Sequence, residues 1–205
     1  SSEFIKKNRD SKAKYDLNAI LCYLTGMKII FPDSKRATYM DIDHIFGMEA
    51  FFNLQDIYLA LDEICNLRIS LQQHLQKEVG RIAKADKSFV YLDITNTYFE
   101  KDFPEEGKLG QRGVSKDHKT EPIVQEGLLL DSNGMPLLHE CFPGNTSDSL
   151  MLRPIVEKIK EYRMTEGRII VVADKGLNSV TNIDYLCNNG DGYVFSQVLK
   201  GKKGS

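Results

Sequence analysis

The chain has 205 residues, 41% of them apolar and 27% charged, with a formal net charge of −2. That much apolar sequence builds one large domain or two small ones and excludes a wholly disordered chain. The near balance of charge excludes a globally basic nucleic-acid binder, so any such contact has to rest on a local patch.

Cys22, Cys65, Cys141 and Cys187 are scattered without Cys-x-x-Cys spacing, as in proteins that use reduced cysteine as a small hydrophobe. No apolar run approaches the roughly 20 residues of a membrane helix, and a soluble, cytoplasmic protein is expected. The chain opens on Ser1-Ser2-Glu3-Phe4 and closes on Gly201-Lys202-Lys203-Gly204-Ser205, so its natural boundaries are expected to lie outside it.

Residues 1–85 read as a small helical region whose role, DNA binding or dimerisation, is left open. Tyr15 to Leu24 forms an amphipathic helix expected to stop near Gly26, with a turn at Phe31-Pro32-Asp33-Ser34. From Asn53 to Lys84, Leu54, Ile57, Leu61, Ile64, Leu67 and Leu71 recur at three- and four-residue spacing, a helical core stripe.

The pattern changes at Phe89–Thr95, a β-branched and aromatic run that reads as a strand entering the core, with Asp93 inside it. Lys101 to Thr120 is rich in Gly and charge and reads as a flexible loop, because the spacing of Gly107, Gly110 and Gly113 matches neither a dinucleotide-binding nor a P-loop fingerprint. Its Lys108, Arg112, Lys116, His118 and Lys119 make a locally basic surface, suited to phosphate contact or simply to solvent.

Ile123–Leu130, a turn at Asp131–Gly134 and Pro136–Phe142 read as a hairpin, closed by a tight turn at Pro143-Gly144-Asn145. Asp148 can cap a helix carrying Leu152, Ile155, Val156 and Ile159, although Pro154 moves the expected start towards Met151. Arg168–Ala173 is an apolar run typical of a central parallel strand; a helix around Asn182–Cys187 and a strand Gly192–Leu199 follow. The order β, β, β, α, β, α, β over residues 86–205 is that of an α/β, ribonuclease-H-like fold: a mixed sheet of three antiparallel strands, then parallel strands, with helices on its faces.

Two acids stand out. Asp93 follows Val90-Tyr91-Leu92, and Asp174 follows Ile169-Ile170-Val171-Val172-Ala173. A carboxylate in a core strand needs a partner, and if the two strands are neighbours the acids converge where α/β sheets collect ligands, a setting that recruits Mg²⁺. The alternative is that each caps a turn.

The string Leu92-Asp93-Ile94-Thr95-Asn96-Thr97-Tyr98-Phe99-Glu100 resembles the segment around the first catalytic aspartate in a group of bacterial insertion-sequence transposases of the DDE superfamily. Further blocks resemble the same group in order: Gly113–Asp117, Pro122-Ile123-Val124, Gly127–Asp131, Phe142-Pro143-Gly144-Asn145, and Val172–Ser179 around the second aspartate. Weaker likeness covers Ile57–Asp62.

The resemblance implies metal-dependent DNA cleavage followed by strand transfer, with Asp93 and Asp174 as catalytic metal ligands for two Mg²⁺ or Mn²⁺ ions, Asp93 bridging them. It also implies a homodimer acting on paired transposon ends, DNA as partner and a nucleoid-associated location. Apart from the resemblance, Arg112, Lys116 and Lys119 of the basic loop and Lys175 and Asn178 just past Asp174 are candidate DNA contacts, a solvated loop and turn chemistry at Lys175-Gly176 being the alternatives. The family's third acid, a Glu on a later helix, is expected downstream of Lys200, so the 205 residues alone are expected to be inactive. A nuclease of the same fold that cuts without joining, and a non-catalytic DNA-binding or dimerising remnant, are the other readings.

Overall fold

The computed structural model describes residues 2–8, 14–42, 52–84, 86–98, 107–113, 121–165 and 167–197. The chain divides into two compact units, Ser1–Glu78 and Val79–Ser205. No helix among the described residues is long and apolar enough to cross a membrane.

The first unit is helical: α1 (Ser2–Asn8), α2 (Leu17–Ile30), α3 (Lys35–Met40), α4 (Leu54–Asn66) and the greater part of α5 (Arg68–Ile82). Its core gathers Leu17, Ile20, Tyr23 and Met27 of α2 with Ile57 and Ala60 of α4. Asp16 starts α2 by accepting hydrogen bonds from the Asn18 and Ala19 N–H groups.

The expected stop at Gly26 does not occur, because Met27 is buried in that core. Burying a Met side chain contributes about 1.5–3 kcal/mol, more than the roughly 1 kcal/mol cost of a mid-helix glycine. The helix ends instead at Phe31, which precedes Pro32 and leaves helical dihedrals at φ −138°, ψ 82°.

The periodic stretch from Asn53 is two helices, separated at Leu67. A reciprocal capping box opens the first: Asn53 accepts from the Asp56 N–H at 3.0 Å and Asp56 accepts from the Asn53 N–H at 2.8 Å.

The second unit is built on β1 (Phe89–Tyr98), β2 (Ile123–Asp131), β3 (Pro136–Pro143), β4 (Ile170–Ala173) and β5 (Gly192–Phe195), with α6 (Asp148–Glu161) and α7 (Val180–Asn188) between the later strands. They form one five-stranded sheet in the order β3-β2-β1-β4-β5. β1, β2 and β3 pair antiparallel, while β1–β4 and β4–β5 pair parallel, which is the expected ribonuclease-H-like arrangement.

The β2–β3 turn is shaped by Asp131, whose Oδ1 accepts from the Asn133 and Met135 N–H groups, and by Gly134 at φ +77°. β5 closes at Phe195, short of the expected strand: Ser196 and Gln197 are not part of it, and Val198 and Leu199 lie outside the described residues.

One sheet face carries Val90, Leu92, Ile94, Leu129 and Val171, all buried. Against it α6 lays Met151, Leu152, Ile155, Val156 and Ile159, each fully buried. The close approach falls at Gly127, where an added Cβ would lie 2.5 Å from Ile155 Cδ1.

α6 starts at Asp148 with Ser147 as its cap residue, so Asp148 is the first helical residue and Pro154 lies inside the helix. The bond that Pro154 cannot make would go to the carbonyl of Leu150, a residue 66% exposed, where water can replace it. Five buried side chains at about 1.5–3 kcal/mol each outweigh the roughly 3 kcal/mol cost of the proline.

The end of α6 is tied to the sheet by Lys160 and Asp191. Asp191 is 0% exposed in its side chain, pairs with Lys160 Nζ, and accepts from the Ile169 N–H at 3.2 Å. Lys160→Met removes the counter-charge and leaves a buried carboxylate, so urea unfolding is expected to show a loss of about 3–5 kcal/mol.

Candidate active site

Strand alternation decides where the two sequence-predicted acids go. In β1, Val90, Leu92 and Ile94 face α6, while Phe89, Tyr91, Asp93 and Thr95 lie on the opposite, exposed face. Asp93 therefore does not enter the core, and the expectation that its burial demands a partner is corrected: its carboxylate keeps its water.

The parallel register aligns Phe89 with Ile170 and continues to Leu92 with Ala173. One step further along the same register brings Asp93 beside Asp174. Asp174, just past β4, remains extended at φ −75°, ψ −179° and, like Asp93, is exposed; neighbouring strands lie about 4.8 Å apart.

The alternative reading, a turn cap, holds for one oxygen of Asp174: Oδ1 accepts from the Gly176 N–H at 2.9 Å and opens the 3₁₀ turn Lys175–Leu177. Oδ2 makes no such bond. The Asp93 side chain makes no hydrogen bond or ion pair among the described residues.

The other sheet acids are committed. Asp131 shapes the β2–β3 turn and Glu140 pairs with Lys158. Glu126, on the same face as Asp93, uses Oε1 on the Thr97 hydroxyl and Oε2 on His139 Nε2 at 3.0 Å. Burial pushes the Glu126 carboxyl up, but those two partners outweigh it and hold the group below the usual glutamate range. Among the described residues, Asp93 is thus the sheet acid whose side chain has no hydrogen-bond or ion-pair partner.

No group of three or more His, Cys, Asp or Glu side chains poised for a metal occurs among the described residues. The Asp93–Asp174 pair does fit a hard divalent cation in donor chemistry: two carboxylates on one exposed face, one without a partner and one with a free oxygen.

The turn bearing Asp174 is fixed from the α6 side, a feature the sequence reading missed. Asn182, 4% exposed, donates from Nδ2 to the Leu177 carbonyl at 2.8 Å and to the Ser149 carbonyl at 2.9 Å. It ties α6, the 3₁₀ turn and α7 together. Its only sequence signal was a polar residue among the apolar positions of a short helix. Asn182→Leu strands both carbonyls, and urea unfolding is expected to report a loss of about 2–3 kcal/mol.

A cleft of about 370 Å³ opens on the α6 face where β4 ends and β1 runs on. It is lined by Asn96 of β1, Gln125 of β2, the loop Asn145–Ser147, Asp148 and Gly176. Of the expected tight turn Pro143-Gly144-Asn145, Asn145 lines this cleft.

Of the expected DNA contacts, Lys175 is exposed next to Asp174. Asn178 gives its amide N–H to the Ser196 carbonyl at 3.1 Å, linking the turn to the end of β5. Arg112 is exposed beside the antiparallel bridge Gln111–Ile123, at the carboxyl end of β1. Lys116, His118 and Lys119 lie outside the described residues.

The described part of the glycine-rich segment is docked, contrary to the flexible loop expected. Gln111 exchanges both backbone bonds with Ile123, and the Gly144 N–H donates to the Leu109 carbonyl. Gly113 packs directly on the Gly144 backbone.

No family profile matches the chain, and no curated protein matches it. Solved structures that resemble it include the piggyBac transposase synaptic complex with hairpin DNA, at 10% identity and TM-score 0.47, covering 100% of this chain and 48% of that one. The Mos1 transposase paired-end complex with left transposon end matches at 11% identity and TM-score 0.37, covering 90% and 59%. The catalytic domain of Mos1 mariner transposase matches at 12% identity and TM-score 0.35, covering 65% and 61%. The chain thus spans about half to three fifths of the length of these proteins.

Proposed function

We propose that this chain carries part of the catalytic region of a DDE-type transposase of a bacterial insertion sequence, which cuts DNA at the ends of its element and joins them to a target. The observation that carries the reading is the parallel register of β1 and β4, which runs to Leu92 and Ala173, one residue before each of the two acids. The blocks of resemblance support it: Leu92–Tyr98 lies in β1, Phe142–Asn145 spans the end of β3 and the loop before α6, and Val172–Ser179 runs from β4 to the start of α7.

In this reading Asp93 and Asp174 hold Mg²⁺ or Mn²⁺, which when bound activates the attacking oxygen and stabilises the leaving one. Lys175, next to Asp174, and Arg112, near the end of β1, hold DNA phosphates, joined by Lys116, Lys119 and Asn178. The third acid belongs to sequence after Lys200; Glu157, on α6, is engaged with Arg153 at 2.9 Å. The helical region, residues 1–85, serves DNA binding or dimerisation on paired ends, upstream of the catalytic region at 86–205.

The test is incubation of the complete protein with DNA carrying its element's ends, in Mg²⁺ or Mn²⁺, scoring cleavage and joining on gels. Both activities together support a transposase. Cleavage without joining identifies a nuclease, and salt-sensitive binding without either identifies a remnant.

A further inference from the structure

Asp174 lies just past the last paired residue of β4, so the sheet does not fix it directly; the 3₁₀ turn Lys175–Leu177 does. Two bonds run from that turn back to Asp174. The Leu177 N–H donates to its carbonyl at 3.4 Å, and the Gly176 N–H donates to its Oδ1 at 2.9 Å. The second bond sets the rotation of the carboxylate and hence the direction of Oδ2.

The turn itself is held at both ends. At one, Asn178 Nδ2 donates to the Ser196 carbonyl at 3.1 Å, but this bond is exposed and water competes for it. At the other, Asn182 is 4% exposed and donates from Nδ2 to the Leu177 carbonyl at 2.8 Å and to the Ser149 carbonyl at 2.9 Å. Its own N–H is bound by Ser179 Oγ at 3.2 Å.

Ser149 belongs to the first turn of α6, whose Met151, Leu152 and Ile155 are fully buried. A chain of hydrogen bonds therefore runs from a packed helix through Asn182 and Leu177 to Asp174. Its central link is shielded from water, which cannot replace it.

We propose that Asn182 is a positioning residue for the metal: through Leu177 it holds the Asp174 carboxylate where an ion can be shared with Asp93. The inference rests on the proposed function, because it places the ion at these two acids. Mg²⁺ takes its oxygens at about 2.0–2.1 Å in near-ideal geometry, so a carboxylate left to swing binds it poorly. Removing a group that orients a metal ligand lowers metal affinity by about 10–100-fold.

A purely structural tie costs stability without touching metal affinity, and Lys160→Met separates the two. That substitution acts at the other end of α6 and is expected to cost at least as much stability as loss of the Asn182 bonds.

Mn²⁺ titration followed by water-proton relaxation tests the proposal on the unsubstituted chain, Asp174→Asn, Asn182→Ala and Lys160→Met, with circular dichroism establishing that each folds. Binding is expected in the unsubstituted chain, lost in Asp174→Asn, weakened at least tenfold in Asn182→Ala and within about twofold of the unsubstituted chain in Lys160→Met. If Asn182→Ala does not fold, nuclear magnetic resonance carries the test. Mg²⁺ should shift the Asn182 side-chain amide signals of the unsubstituted chain but not those of Asp174→Asn, since coupling between two sites is reciprocal.

Unchanged affinity in Asn182→Ala, an equal loss in Lys160→Met, or amide signals that Mg²⁺ leaves in place overturns the proposal. With binding still lost in Asp174→Asn, the proposed function survives each of those results. Binding that persists in Asp174→Asn, or no binding by the unsubstituted chain, overturns both this proposal and the assignment of the metal to Asp93 and Asp174.

Discussion

In the complete protein, Asp93→Asn and Asp174→Asn are each expected to lower the rate of DNA cleavage by about three orders of magnitude while leaving DNA affinity within about twofold. A divalent ion between two carboxylates supplies several kcal/mol of transition-state stabilisation, and about 4 kcal/mol is a thousandfold in rate. Asparagine keeps the shape of either side chain but removes the charge that, in the proposed function, would hold the ion.

The double variant should be little worse than either single one, because the residues act as a unit. Single-turnover cleavage rates and filter binding measure the two quantities. The choice of asparagine also separates the site from a structural cap. Asn caps a turn about as well as Asp, so if the bond from the Gly176 N–H to Asp174 Oδ1 were that residue's whole purpose, Asp174→Asn would leave cleavage intact. Relief of repulsion between adjacent carboxylates should also make either variant slightly more stable than the parent in metal-free buffer.

The second large effect is expected at Gly144. A Cβ there would lie 2.0 Å from the Ile123 carbonyl oxygen and 2.4 Å from that of Gln111. Both are backbone atoms held by the reciprocal bonds between Gln111 and Ile123, and neither can swing aside as a side chain would.

Gly144→Ala must therefore separate the Leu109–Gly113 segment from the sheet end, at a cost of about 3 kcal/mol or more. Urea unfolding measures the loss, and faster trypsin cleavage after Lys108 or Arg112 reports the segment's release. Gly26→Ala is the control. Its Cβ meets nothing within 4 Å in the middle of α2, so stability should rise by up to about 1 kcal/mol. Equal stability of Gly144→Ala and the parent would remove the docked segment from the account.

Local chemistry by itself determined most element types. The period of three and four residues around Ile57, the alternation through Phe89–Thr95 and the turn chemistry of Asp131–Gly134 each depend on a few adjacent residues, and each appears where expected. The order of strands and helices also limited the sheet to a ribonuclease-H-like one, because connection rules leave few other topologies. Asp93 and Asp174 were nominated on equally local ground, as charge among apolar neighbours.

Only the tertiary structure decided which elements would override their local signals. Gly26 and Pro154 both predict helix ends, yet α2 and α6 run through them because Met27 and the Met151–Ile159 stripe are buried, and burial outweighs propensity. Tertiary pairing also decided that Asp93 faces out rather than in, since a strand's face is set by the sheet it joins and the helix that covers it. The cleft around Gln125 and the tie made by Asn182 had no sequence motif at all. They assemble residues from β1, β2, the loop before α6, the turn after β4 and α7, and only chain folding brings those together.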